Sequence, residues 1–283
     1  MPKTTDLQAI KHIATTLLYL DFEKTAFYPM VVHHPYATSA LVGLHTDSGS
    51  TIVNLLEDED GLVKWQDMLT NEINSAQSIT DIYCLLTKPY ALSFLQLIEK
   101  HLCPADLSQL LRDTWMNIEF VYSNPVFTKS EFAKLFRKCD PSVLMTQEEQ
   151  DTLKQLSDPV TIYRGIRKGS KKVKGMSWTL DPAVAEWFSH RFSVDNVKGD
   201  FYQAMIAKSD VLAYFKARKE EEIVVDVGRL RNIEKHSPKT MEHLNVKASL
   251  EQVISDATAQ KESISSTDKP FEKGHTVDKT LVK

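Results

Sequence analysis

A chain of 283 residues, 42% hydrophobic and 25% charged, is long enough to bury a full core in one or two domains. Its formal net charge of -4 excludes whole-molecule attraction to nucleic acid, so any such role falls to local patches. Cys84, Cys103 and Cys139 are scattered without CxxC spacing and predict reduced, buried thiols. The polar start and the lack of any apolar run of membrane-spanning length predict a cytoplasmic chain with no membrane partner.

In chain order, residues 1–150 read as mainly helical. Ile10 to Leu20 carries apolar residues at helical spacing, with Ile13, Leu17 and Leu18 on one side. A β-leaning stretch follows from Tyr28 to Val53, then apolar segments at Leu62 to Leu69 and Ile79 to Leu86. Ala91 to Leu102 predicts an amphipathic helix, and Pro104 with Asp106 restarts another to about Tyr122. Two capping boxes follow. Thr128 with Glu131 opens the helix of Phe132, Leu135 and Phe136, and Thr146 with Glu149 opens that of Leu153 and Leu156.

The pattern changes at Asp158-Pro159. From Val160 onward it predicts strand, loop, strand, helix, strand, strand. Asp181-Pro182 caps the helix of Val184, Ala185, Trp187, Phe188 and Phe192, whose aromatic rings are expected to pack on the sheet. Tyr202 to Ala207, Val211 to Phe215 and Ile223 to Val227 are further strand candidates. The composition of residues 250–283 predicts a disordered tail, and residues 151–249 then form the compact second unit.

Three short pieces could carry chemistry. Arg164 ends the strand Val160-Thr-Ile-Tyr163 and precedes Gly165; an arginine there can fork onto phosphate, and a glycine admits a flat ligand. Ser177 and Thr179 alternate about Trp178, so both hydroxyls share one strand face. Glu220, Glu221 and Glu222 precede Ile-Val-Val; as strand residues, Glu220 and Glu222 face one way and Glu221 the other. Each piece also has an ordinary reading: a surface arginine, strand hydroxyls, a solvated acidic turn. Between the first two runs Arg167 to Lys174, with five basic residues in eight, either an anion-binding loop or a solvated one. His33-His34 and His45 with Asp47 lack further ligands at a usual spacing, so no metal is expected. Asp47-Ser-Gly-Ser lacks the lysine of a phosphate loop and reads as a turn.

Taken in order, Tyr163-Arg164-Gly165, Ser177-Trp178-Thr179 and Glu220-x-Glu222 over residues 158–230 resemble the Arg–Ser–Glu class of mono-ADP-ribosyltransferases. The resemblance implies an α+β chain in which a helical N-terminal region precedes a split, mixed β-sandwich that grips NAD. It implies that Arg164 holds NAD phosphate and the nicotinamide ribose, with Gly165 facing the nicotinamide amide. Tyr163 and Thr179 flank the same cleft, Ser177 orients the glutamate, and Glu222 stabilises the oxocarbenium. Glu220 lies in the loop that presents the acceptor, though Glu221 is an alternative. Trp178 departs from the family, where the central residue between the hydroxyls is small. The longer string from Leu144 to Phe192 is similar to bacterial and phage-associated members, some of them toxins of toxin–antitoxin or phage-defence systems and some modifying messenger RNA. The resemblance thus implies NAD as substrate, a macromolecular acceptor with RNA ahead of protein arginine, and an antitoxin or inhibitor protein as partner. A non-catalytic interaction module, its cleft blocked by Trp178, is the contrasting expectation.

Overall fold

The computed structural model describes residues 2–46, 49–117, 126–170, 173–191 and 199–236. The expected tail, Phe192 and the Asp47-Ser48 pair lie outside them.

Asp6 caps α1 (Leu7–Leu18), its carboxylate accepting the Ala9 N–H, and the i, i+4, i+8 residues Ile10, Ala14 and Leu18 are buried. Two antiparallel hairpins follow: β1 (Glu23–Lys24) with β2 (Val32–His33), and β3 (Leu41–Thr46) with β4 (Gly49–Asn54). His34 is a core residue. Its ring stacks on Phe22 at 4.1 Å and meets Trp65 edge-on at 5.5 Å, and burial lowers its proton affinity. Asp58 caps α2 (Glu59–Ser75), which therefore starts earlier than the apolar run Leu62 to Leu69 indicates. The next helix, α3 (Ile79–Tyr83), stops short of Leu86 because Leu85 and Leu86 close tight turns onto Ile82 and Tyr83.

Helix α4 (Ala91–Ile98) runs into a 3-10 turn before Pro104 opens α5 (Pro104–Asn117); the expected extension to Tyr122 lies outside the described residues. Both capping boxes form as read, at the starts of α6 (Lys129–Lys138) and α8 (Gln147–Gln155), with the short α7 (Pro141–Leu144) between them. The cysteines differ from expectation: Cys139 is buried, Cys103 half-buried and Cys84 exposed, because Cys84 lies at the end of α3.

From Val160 the chain builds a sheet of six strands. They are β5 (Val160–Ile166), β6 (Ser177–Thr179), β7 (Asp200–Ile206), β8 (Val211–Phe215), β9 (Glu222–Val225) and β10 (Arg231–His236), with α9 (Pro182–His190) between β6 and β7. Their order across the sheet is β10-β7-β5-β6-β9-β8. The chain is therefore α+β. Every pairing among the described strands is antiparallel, where the resemblance implies a mixed sheet.

The helical half and the sheet share a core. Buried side chains from Ile10 through Trp115, Phe132 and Phe136 to Phe215 and Val225 form one contiguous cluster. The two edges of the sheet are treated differently. Edge strand β10 is exposed and charged, with Arg231, Glu234 and Lys235, which discourages pairing with another chain. Edge strand β8 is covered. Its Tyr214 N–H meets the Met145 sulfur at 3.3 Å and its following Lys216 N–H donates to Glu149 Oε1 at 2.9 Å.

Glu149 is 3% exposed, and Arg112 of α5 grips it with two bonds of 2.8 and 3.2 Å. Desolvation pushes this carboxyl up, but Arg112, the Thr146 N–H and the Lys216 N–H together outweigh it and hold it below the ordinary glutamate range. A lowered folded-state value means the stabilisation is complete above the ordinary value of 4.5 and is lost as pH falls through the folded-state one. Glu149→Gln leaves Arg112 facing no counter-charge, and we expect a loss of about 3 kcal/mol at neutral pH in urea unfolding. The wild-type midpoint should fall more steeply than the variant's as pH drops through that window; parallel acid limbs would contradict this account.

Candidate active site

Arg164, Ser177 and Glu222 stand on three adjacent strands, β5, β6 and β9. Glu222 is the first residue of β9, one position before the Ile-Val-Val run, and is 4% exposed. Thr179 lies directly opposite it on β6 and Phe215 on β8. Ser177 is one same-face step along, opposite Val224. Ser177, Thr179 and Glu222 therefore share a face, and Trp178, opposite Ile223, occupies the other. There Trp178 is 2% exposed and donates its indole N–H to the Gly175 carbonyl at 2.8 Å. The large central residue that departs from the family pattern thus fills core rather than the face of the two hydroxyls.

The glutamate run is a strained turn rather than extended strand. Lys219 and Glu221 have φ of 56° and 43°, the left-handed region that costs a side-chain-bearing residue about 1–2 kcal/mol each. The expected alternation of Glu220, Glu221 and Glu222 fails for this reason: strand geometry begins only at Glu222. Two bonds fasten the turn to the β6 segment. The Thr179 hydroxyl donates to the Glu220 carbonyl at 2.7 Å, and the Leu180 N–H donates to the Glu221 carbonyl at 3.1 Å; the same hydroxyl accepts the Asp181 N–H at 3.0 Å. Glu221 is half-buried, and its carboxyl is raised by desolvation and by nearby Asp181, with Lys216 opposing. Its surroundings thus favour holding a proton.

Strands β5 and β6 pair in the ladder at a single position, Tyr163 with Thr179. Beyond it they diverge, while β5 stays paired with β7 as far as Ile166. Arg164 spans this opening. One of its terminal guanidinium nitrogens donates to the Ser177 carbonyl, and the guanidinium lies where a Cβ on Gly175 would fall. By register its side chain starts from the face opposite Tyr163, so it reaches β6 through the split rather than across the face of Glu222.

Gly165 has a packing reason. A Cβ there would fall on the Ala185 carbonyl oxygen and the Ser189 N–H of α9. The close approach that glycine permits is to this helix. Tyr163 packs beside it, stacked on Phe201 at 5.7 Å, with Ala185 in the same cluster.

Across from the sheet, α5 supplies a contact that sequence reading missed. Trp115, 3% exposed, donates its indole N–H to Glu222 Oε1 at 3.1 Å. Phe132 and Phe136 of α6 meet this ring edge-on, at 5.9 and 5.1 Å. Nothing in the local pattern marks Trp115 as more than an apolar residue of an amphipathic helix, because its partner is 107 positions away.

The surface nearby differs from expectation at Trp187. It is 49% exposed rather than packed on the sheet, with the Arg191 guanidinium 4.8 Å over its ring. Helix α9 uses Pro182, Ala185 and Ser189 as its buried stripe, which turns Trp187 outward. Of the basic loop, Arg167, Lys168 and Lys174 are exposed, Lys174 offers its carbonyl to the Lys129 ammonium, and Lys171 and Lys172 lie outside the described residues. Among the described residues no group of three or more His, Cys, Asp or Glu side chains is arranged to hold a metal ion, and no helix is long and apolar enough to cross a membrane.

No family model matches the chain, and neither a curated protein nor a solved structure does.

The stitched turn gives a direct test. Thr179→Val keeps the volume but removes both hydroxyl bonds, and should cost about 1–3 kcal/mol in urea unfolding, whereas Thr179→Ser should cost much less. Equal losses for the two variants would mean that the hydroxyl does not hold the turn.

Proposed function

We propose that this chain is an NAD-dependent ADP-ribosyltransferase that passes ADP-ribose to a macromolecular acceptor and releases nicotinamide. The observation that carries this reading is the placement of Arg164, Ser177 and Glu222 on three adjacent strands, with the Glu222 carboxylate buried at the start of β9. The α+β architecture and the single-pair junction between β5 and β6 are compatible with the split sandwich of the Arg–Ser–Glu class.

The chemistry follows from the bond to be broken. Nicotinamide departs from a cationic pyridinium as a neutral base, taking the electron pair of the C1′–N bond, so positive charge appears on the ribose. A buried anion is worth most at that moment, because no water screens it and it need not reorganise. Glu222 has this role. Arg164 binds pyrophosphate oxygens. An acceptor lone pair then closes on C1′, and its proton passes to a nearby carboxylate, Glu220 or Glu221, or to solvent. The raised carboxyl of Glu221 suits a group that exchanges a proton. Because Trp178 lies on the opposite face from Ser177 and Thr179, it does not argue for an idle, blocked cleft.

RNA is the acceptor class best supported by the surface. Exposed Arg167, Lys168 and Lys174 suit phosphates, and exposed Trp187 with Arg191 over its ring suits a flat base.

Purified wild-type protein should release nicotinamide from NAD, and Glu222→Gln should lower that rate by about a hundredfold or more while keeping the fold. A variant as fast as wild type would remove Glu222 from the mechanism. With NAD labelled on the adenylate phosphate, product from a cell lysate should lose its label to ribonuclease and survive protease. The reverse pattern would make the acceptor a protein. Arg167→Ala combined with Lys168→Ala should weaken labelling of RNA without lowering nicotinamide release in its absence.

A further inference from the structure

We infer that Trp115, on the N-terminal helix α5, is the positioning residue that fixes the Glu222 carboxylate for reaction. The inference rests on the proposed transferase reading and extends it, since Trp115 lies outside residues 158–230 that carry the resemblance.

The geometry has three parts. The first is the bond itself, 3.1 Å from the indole N–H to Glu222 Oε1, with both residues buried. An indole N–H only donates and does not titrate in the working range, so it fixes a carboxylate oxygen without competing for its proton. The second is the rigidity of the donor. Phe132 and Phe136 meet the ring edge-on, and α6, which carries both, is started by the Thr128–Glu131 capping box. The third is the anchoring of α5. Arg112 sits three residues before Trp115, on the same side of the helix, and grips Glu149 while lying 5.2 Å over the Phe215 ring. Phe215 is the cross-strand neighbour of Glu222. One turn of α5 therefore clamps the sheet edge through Arg112 and reaches the Glu222 carboxylate through Trp115.

This arrangement places the helical half inside the catalytic apparatus. A carboxylate that must face a short-lived cation has to be held within a fraction of an ångström, and a donor on a packed helix does this better than one on a loop. Ser177, the residue to which the resemblance gives this task, stands one step along the ladder opposite Val224.

Trp115→Phe keeps the aromatic packing and removes the donor. For the full chain, nicotinamide release by this variant should show kcat lowered about ten- to a hundredfold, with the KM for NAD within about twofold of wild type. A merely structural role would lower the melting temperature and leave kcat per folded molecule unchanged. A second measurement needs no activity: the indole N–H resonance of Trp115 should move in Glu222→Gln, while those of Trp65, Trp178 and Trp187 stay in place. Wild-type kcat in Trp115→Phe, or a Trp115 resonance indifferent to Glu222→Gln, overturns the inference and leaves the transferase reading standing. A wild-type protein that binds no NAD and releases no nicotinamide overturns both. If Trp115→Phe fails to fold, the resonance decides.

Discussion

One buried carboxylate, that of Glu149, holds the two halves of this protein in register. It accepts from the backbone of its own helix start, from the guanidinium of α5 and from the outward amide beyond β8. A charge so enclosed is tolerable only when its oxygens are satisfied, and here helix, helix and sheet edge each contribute a donor. The consequence is positional. Because α5 is pinned to the edge of the sheet, its next turn lies over β9, and an indole N–H comes to rest on the first residue of that strand.

Much of the local structure is legible in the chain. The capping boxes at Thr128 and Thr146, the Asp181-Pro182 helix start, the Val160 and Val211 strands and the Ile-Val-Val core of β9 all follow from short-range rules. What escaped is the part that depends on distance along the chain. Glu149 reads as a capping residue, and so it is, but its docking to Arg112 and Lys216 joins residues 37 and 67 positions apart. Trp115 reads as one more apolar side chain. Trp187 was expected inside because it is large; small residues face the sheet instead, since Gly165 lets α9 approach too closely for a wide ring.

The glutamate run shows why a strand rule can mislead at its boundary. Alternation holds only where φ and ψ are extended, and Lys219 and Glu221 are both left-handed. Two such residues without glycine are a conformational cost, and the Thr179 hydroxyl with the β6–β9 amides offsets it. The same hydroxyl also accepts the Asp181 N–H. A single threonine thereby couples the acidic turn to the entry of α9, which brings the backbones of Glu221 and Asp181 together; burial first and Asp181 second raise the Glu221 carboxyl.

The 107 positions between the indole and its carboxylate also have a meaning in time. A ribosome adding roughly 5–20 residues per second takes on the order of 5–20 s to travel from one to the other. Throughout that interval the nascent helices exist without the strand that completes the constellation. The contact between the indole and the carboxylate thus forms late in translation, and truncated products ending before β9 lack it.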